Sequence, residues 1–171
     1  MGKNKRGQMK LSFGMIFSII LIIIFVSFSV YAIQKFLDIQ NSVQVVKFTD
    51  DFQNDINQMW KSSKGSQIKE YTLPKGVDFV CLADYSSGES GRGSYEDLFE
   101  KLKTVYYEDE NLFFYPVGSA QGFNSKNMEN IDLEAIVNQE NPFCIKSVNG
   151  KVSLIIKKDF SEVLVNINRV V

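Results

Sequence analysis

The stretch KNKRGQMKLSFGMIFSIILIIIFVSFSVYAIQKF, residues 3–36, sets four positive charges around the start of a long apolar run. From Leu11 to Ile33 there are 23 consecutive residues without a charge, and only Ser12, Ser18, Ser27, Ser29 and Tyr31 among them carry a polar group. A helix rising about 1.5 Å per residue would make this segment roughly 34 Å long, enough for a hydrocarbon core of about 30 Å. The apolar region of a secretory signal is shorter, about 7 to 15 residues, and ends in a small-residue cleavage site. The run is also apolar on every face, unlike the one-sided helix that covers a small soluble core. The expectation is a single retained span, a signal-anchor from Leu11 to Ile33, with membrane lipid as its partner.

Charge orients that span. Lys3, Lys5, Arg6 and Lys10 make the first ten residues +4, and no acid stands before Asp38. Beyond Lys10, 15 Lys and Arg face 20 Asp and Glu, so the rest of the chain is −5. Positive flanks stay on the cytoplasmic side, which predicts a cytoplasmic N-terminus and residues 34–171 outside. A nucleic-acid binder would carry basic clusters interleaved with aromatics in its folded part. None is present, so nucleic acid is not an expected partner.

The chain then divides into a basic cytoplasmic tip (1–10), a transmembrane helix (11–33), a stalk helix (34–66) and an extracytoplasmic α+β domain (67–171). Phe36, Ile39, Val43 and Val46 recur at helical spacing, and the stripe then shifts to Phe48, Phe52, Ile56 and Met59. The shift, together with Thr49, Asp50 and Asp51 as a helix-start signal, predicts a break between Val43 and Phe48. The stripe is expected to pack against the globular domain. Packing against another copy of the chain, or against another membrane or surface protein, is the alternative use of the same face.

Beyond Gln67 the text changes to short strands. IKEYTLP and GVDFVCLAD, split by Pro74 and Gly76, predict two strands with a tight connection. SYEDLFEKLKTVYY predicts a helix capped by Ser94, and NLFFYPV a strand ended by Pro116. Residues 118–142 read as a long loop with one short element at 131–137. Asn149-Gly150, between two alternating runs, is a strong hairpin signal, and EVLVNINRVV supplies a last strand. The soluble part is therefore α+β, with a largely antiparallel sheet and one packed helix.

Cys81 and Cys144 are the only cysteines. Outside the cytoplasm they are expected to form a disulfide, and closing a loop of 62 intervening residues contributes on the order of 4 kcal/mol in the chain-entropy model. Two buried thiols are the alternative. With no histidine in the chain, Ser-His-Asp and Cys-His nucleophiles and histidine metal sites are excluded, and two cysteines alone do not make a zinc site. The acidic groups Asp50-Asp51-Asp55, Glu96-Asp97-Glu100 and Glu108-Asp109-Glu110 read as helix-start charge and a solvated turn. SGESGRGS, with Gly88, Gly91 and Gly93, lacks the lysine and spacing of a phosphate-binding loop. No catalytic residue, metal or cofactor is expected, and the chain is not expected to be an enzyme. The aromatic run Phe113, Phe114, Tyr115 and Phe123 is a candidate contact surface wherever it is exposed.

The N-terminal text resembles archaeal type IV pilin-like precursors, which carry a class III signal. There, basic residues followed by Gly or Ala precede a cut that leaves the apolar helix on the mature chain. Lys5-Arg6-Gly7 followed by Gln8 is similar to that junction, which implies a processing site between Gly7 and Gln8. Lys10, and Ser12 where many such proteins have Glu, depart from the pattern. The downstream text resembles uncharacterised archaeal single-pass membrane proteins. The expected function is a single-pass membrane-anchored extracytoplasmic structural or interaction protein, with a pilin-like surface subunit as one form of it. The alternative is an anchored module that binds a ligand or a membrane complex without catalysis, through residues 85–94 or 118–142.

Overall fold

A computed structural model describes residues 13–86 and 90–170. Leu11, Ser12, Gly7 and Gln8 lie outside the described residues, as does Gly88. The chain is α+β: a long N-terminal apolar helix followed by antiparallel sheets. It divides into two compact units, one ending at Asp38 and one beginning at Ile39.

In the first unit, helix α1 (Phe13–Lys61) carries the apolar run, with every described side chain through Gln40 exposed. Three of its serine hydroxyls are bonded within the helix. Ser18, Ser27 and Ser29 donate to the carbonyls of Gly14, Ile23 and Phe25 at 2.8, 2.8 and 2.7 Å.

In the second unit α1 does not break between Val43 and Phe48. At about 100° per residue, Val45, Phe48, Phe52, Ile56 and Met59 fall on one face and Ile39, Val43 and Val46 on nearly the opposite one. The first face is buried in the domain core, whereas Ile39 and Val43 are 62% and 59% exposed. The shift in the stripe is a change of face within one helix. Thr49 is accordingly no cap: its hydroxyl donates back to the Val46 carbonyl at 2.9 Å.

Seven strands follow among the described residues, in two sheets. β1 (Gly65–Thr72), β6 (Lys151–Lys158) and β7 (Asn166–Arg169) form the first, in the order β1-β6-β7. β2 (Phe79–Leu82), β3 (Leu112–Tyr115), β4 (Ser125–Lys126) and β5 (Phe143–Lys146) form the second, in the order β4-β3-β2-β5. All these pairings are antiparallel. Helix α2 (Glu96–Lys103) covers one face of the second sheet, and α3 (Leu133–Val137) packs near β7. The 118–142 region thus holds β4 as well as the expected short element. Ser94 does not cap α2; Tyr95 holds that position without a side-chain bond, and Ser94 reaches Glu140 instead.

Alternation explains the aromatic run in β3. Leu112 and Phe114 enter the core shared with α1, and Phe113 enters the cluster under α2 with Cys81, Cys144, Leu98 and Leu102. Both faces of this strand are buried as far as Phe114, so Phe113 and Phe114 are core, while Tyr115 at its end is half-buried.

The two tight connections anticipated from sequence both form, but neither joins paired neighbours. β1 and β2 flank the Pro74–Val77 turn and enter different sheets, and β5 and β6 do the same around Asn149-Gly150. Asn149 and Gly150 have φ of 54° and 73°, the double left-handed turn this dipeptide favours. Val148 and Lys151 exchange both backbone bonds, at 2.8 and 3.0 Å, and the arms then separate. Leu73 N–H donates to the Gly150 carbonyl at 2.8 Å, so the two crossovers support each other.

Candidate functional site

Cys81 and Cys144 face each other across β2 and β5, with Sγ atoms 2.06 Å apart, a disulfide distance. Both are fully buried beneath α2. The bond therefore lies inside the domain and is not offered to a partner.

The carboxylates singled out in sequence do not gather. Asp55 lies between α1 and β1, accepting from Lys69 at 2.8 Å and from the Tyr71 hydroxyl at 2.6 Å. Burial first, and then Asp55, hold the Tyr71 phenol above its ordinary value. Asp51 pairs with Lys47 one helical turn away, and Asp97 with Lys101. Glu110 accepts from the Tyr107 N–H in its own turn. A small recess of about 110 Å3 does bring Asp109 and Glu110 near Asp84, but Asp84 is engaged with the Ser86 N–H and hydroxyl. No group of three residues able to hold a metal occurs among the described residues.

The glycine-rich loop is packed at its C-terminal end. A Cβ on Gly91 would come within 2.6 Å of Phe99 Cβ and 2.9 Å of the Glu96 carbonyl, so this glycine permits close approach to α2. Asn141, which is fully buried, ties both ends of the loop. Its side chain bonds the Asp84 backbone twice, at 3.2 and 2.9 Å, and its own N–H and C=O pair with Arg92, each at 2.9 Å. Nothing in the sequence pattern marked Asn141, because its role depends on residues 49 and 57 positions away meeting in space.

Two open surfaces stand out among the described residues. Phe123 is 46% exposed and, with Val43 and Val46, lines an apolar recess of about 430 Å3 rimmed by Lys47, Asp50 and Asp51. Phe123 is thus the exposed member of the aromatic run, Tyr115 is half-buried, and Phe113 and Phe114 do not reach the surface. The second is a cleft of about 590 Å3 between β5 and the start of β6. Arg169 stands at its border, stacked on Phe143 at 4.4 Å, with its guanidinium on Glu140 and its Nε on the Cys144 carbonyl at 2.9 Å. The hydrogen bond from Arg169 holds the Glu140 carboxyl below its usual range.

Compared with protein-family models, with curated proteins and with solved structures, the chain shows no significant match.

Proposed function

We propose that the chain is a single-pass membrane protein whose N-terminus is cytoplasmic and whose α+β domain works outside as a structural or interaction module. The observation that carries this reading is the exposed apolar part of α1, from Phe13 onward. In water each large apolar side chain left exposed forgoes about 1.5 to 3 kcal/mol of burial, and more than a dozen are exposed there. In lipid the same surface is matched, and the hydroxyls of Ser18, Ser27 and Ser29 are already bonded within the helix. Lys3, Lys5, Arg6 and Lys10 support the orientation. Alkaline carbonate extraction of native membranes, with protease added outside intact cells, tests both parts. The anchored reading requires a carbonate-resistant chain whose domain is cut from outside. Release by carbonate, or a domain protected until the cells are opened, overturns it.

A pilin-like subunit is the assembling form of this proposal. It adds a cut between Gly7 and Gln8 and uses the Ile39, Val43 and Val46 face, which the domain leaves exposed, for contact between copies. Filaments in sheared surface material whose subunit begins at Gln8 support it, and a mature chain that retains Met1 removes it. The recess at Phe123 favours the second reading, an anchored module that binds a ligand or a membrane complex, because it gives the 118–142 segment an apolar concavity.

A further inference from the structure

The β5–β6 connection is a hairpin that opens instead of closing. β5 joins one sheet and β6 the other, and the cleft of about 590 Å3 lies between the two arms. Cys144, Ile145 and Lys146 form one wall, and Lys151 and Ser153 the other.

Among the described residues β5 has a strand neighbour on one side only. Its register with β2 sets Cys81 opposite Cys144 with Cα atoms 4.0 Å apart, the close spacing of an antiparallel pair that exchanges no backbone bonds. The backbone groups of Cys144 therefore point away from β2, and alternation sends those of Lys146 the same way. Ser147 confirms the phase by turning back to donate to the Asp78 carbonyl at 2.7 Å. Arg169 occupies the Cys144 carbonyl. Cys144 is fully buried, so its N–H is not offered at this edge, whereas Lys146 is exposed and among the described residues neither of its backbone groups has a backbone partner.

Charge decides what fits there. The lining holds Lys146, Lys151 and Arg169; Lys151 pairs with Glu70 at 2.6 Å and Arg169 with Glu140, which leaves Lys146 as the cation that can meet a ligand. Lys146 is exposed and forms no ion pair among the described residues. This basic lining sits on a chain that is −5 beyond Lys10.

We propose that the cleft takes an extended acidic peptide, which adds to β5 as a fifth strand of the second sheet and sets a carboxylate against Lys146. Backbone pairing supplies the affinity and the lysine selects the sign of the charge. The site belongs to the folded domain and stands whether or not α1 crosses a membrane.

Full-length protein in detergent micelles is titrated with a fluorescent peptide of alternating valine and glutamate. Two analogues are run beside it, one with lysine for glutamate and one N-methylated throughout. The acidic peptide is expected to bind about ten-fold more tightly than either analogue. It should also slow amide exchange across residues 143–147 and leave β1, β4 and β7, the other edge strands, unchanged. Lys146→Glu should keep the thermal midpoint while weakening the acidic peptide about ten-fold and favouring the lysine analogue. Absence of binding, equal binding of the charge analogues, tolerance of N-methylation, or protection confined to another edge overturns the proposal. So does protection of 143–147 that rises with protein concentration without peptide, since that assigns the edge to a second copy.

Discussion

Lys158 shows how much one side chain holds in this domain. It is 9% exposed, and its ammonium donates to the carbonyls of Trp60 at 2.6 Å and Ser62 at 3.1 Å, closing the C-terminal end of α1 where the helix dipole is negative. Lys158→Met keeps the stem and removes the donors, so urea unfolding should show a loss of about 1 to 3 kcal/mol. An unchanged midpoint would mean that water satisfies those carbonyls equally well. Tyr71 makes a pH prediction of definite sign. Burial and Asp55 raise its pKa in the folded state, so the folded chain keeps a proton that the unfolded chain releases at about pH 10. Its contribution is present below that pH and is lost as pH rises past it. Tyr85, raised by burial and by Glu100, acts in the same direction. Tyr71→Phe should cost about 0.5 to 1.5 kcal/mol at neutral pH and flatten the alkaline fall in urea midpoint. A fall as steep as in the parent chain would exclude Tyr71 as a source.

Among the elements, α1 separates what periodicity can show from what it cannot. Its apolar positions were legible as two stripes, and their spacing was helical throughout. Which stripe met the domain was not legible, because Val43 and Phe48 carry the same chemistry and only the position of the sheets decides between them. Phe52→Ala should therefore cost about 3 to 5 kcal/mol, and Val43→Ala under about 0.5 kcal/mol, in denaturant unfolding of the soluble domain's signal. Similar losses at both positions would mean that both faces are covered. The two tight turns carry the same lesson. Asn149 and Gly150 specify a double left-handed turn locally, but the length of the ladder beyond it depends on distant competitors, β2 for β5 and β1 for β6. The disulfide joins β5 to β2 on the side away from that turn. Replacing Cys81 and Cys144 together by Ala should lower stability by about 2 to 4 kcal/mol, read as a shift in urea midpoint that matches the shift caused by reduction. No shift on reduction would mean that the ladder alone holds the strands.

At the scale of the whole molecule, the fold class and the long apolar helix were legible because composition and period act over many residues and tolerate local exceptions. The candidate sites were less so. The carboxylate runs and glycine loop are dense in sequence yet dispersed or packed in space, while Asn141 and the β5 cleft arise from residues far apart along the chain. Function follows the same division, since the proposal of an anchor rests on the one feature that is both long and continuous. Intact-mass spectrometry of the protein from carbonate-washed native membranes tests that anchor most directly. A retained anchor gives a chain whose mass includes the whole apolar run, beginning at or before Gln8 and lighter than its reduced form by the two thiol hydrogens lost in one disulfide. A soluble chain whose mass begins after Ile33 would contradict it.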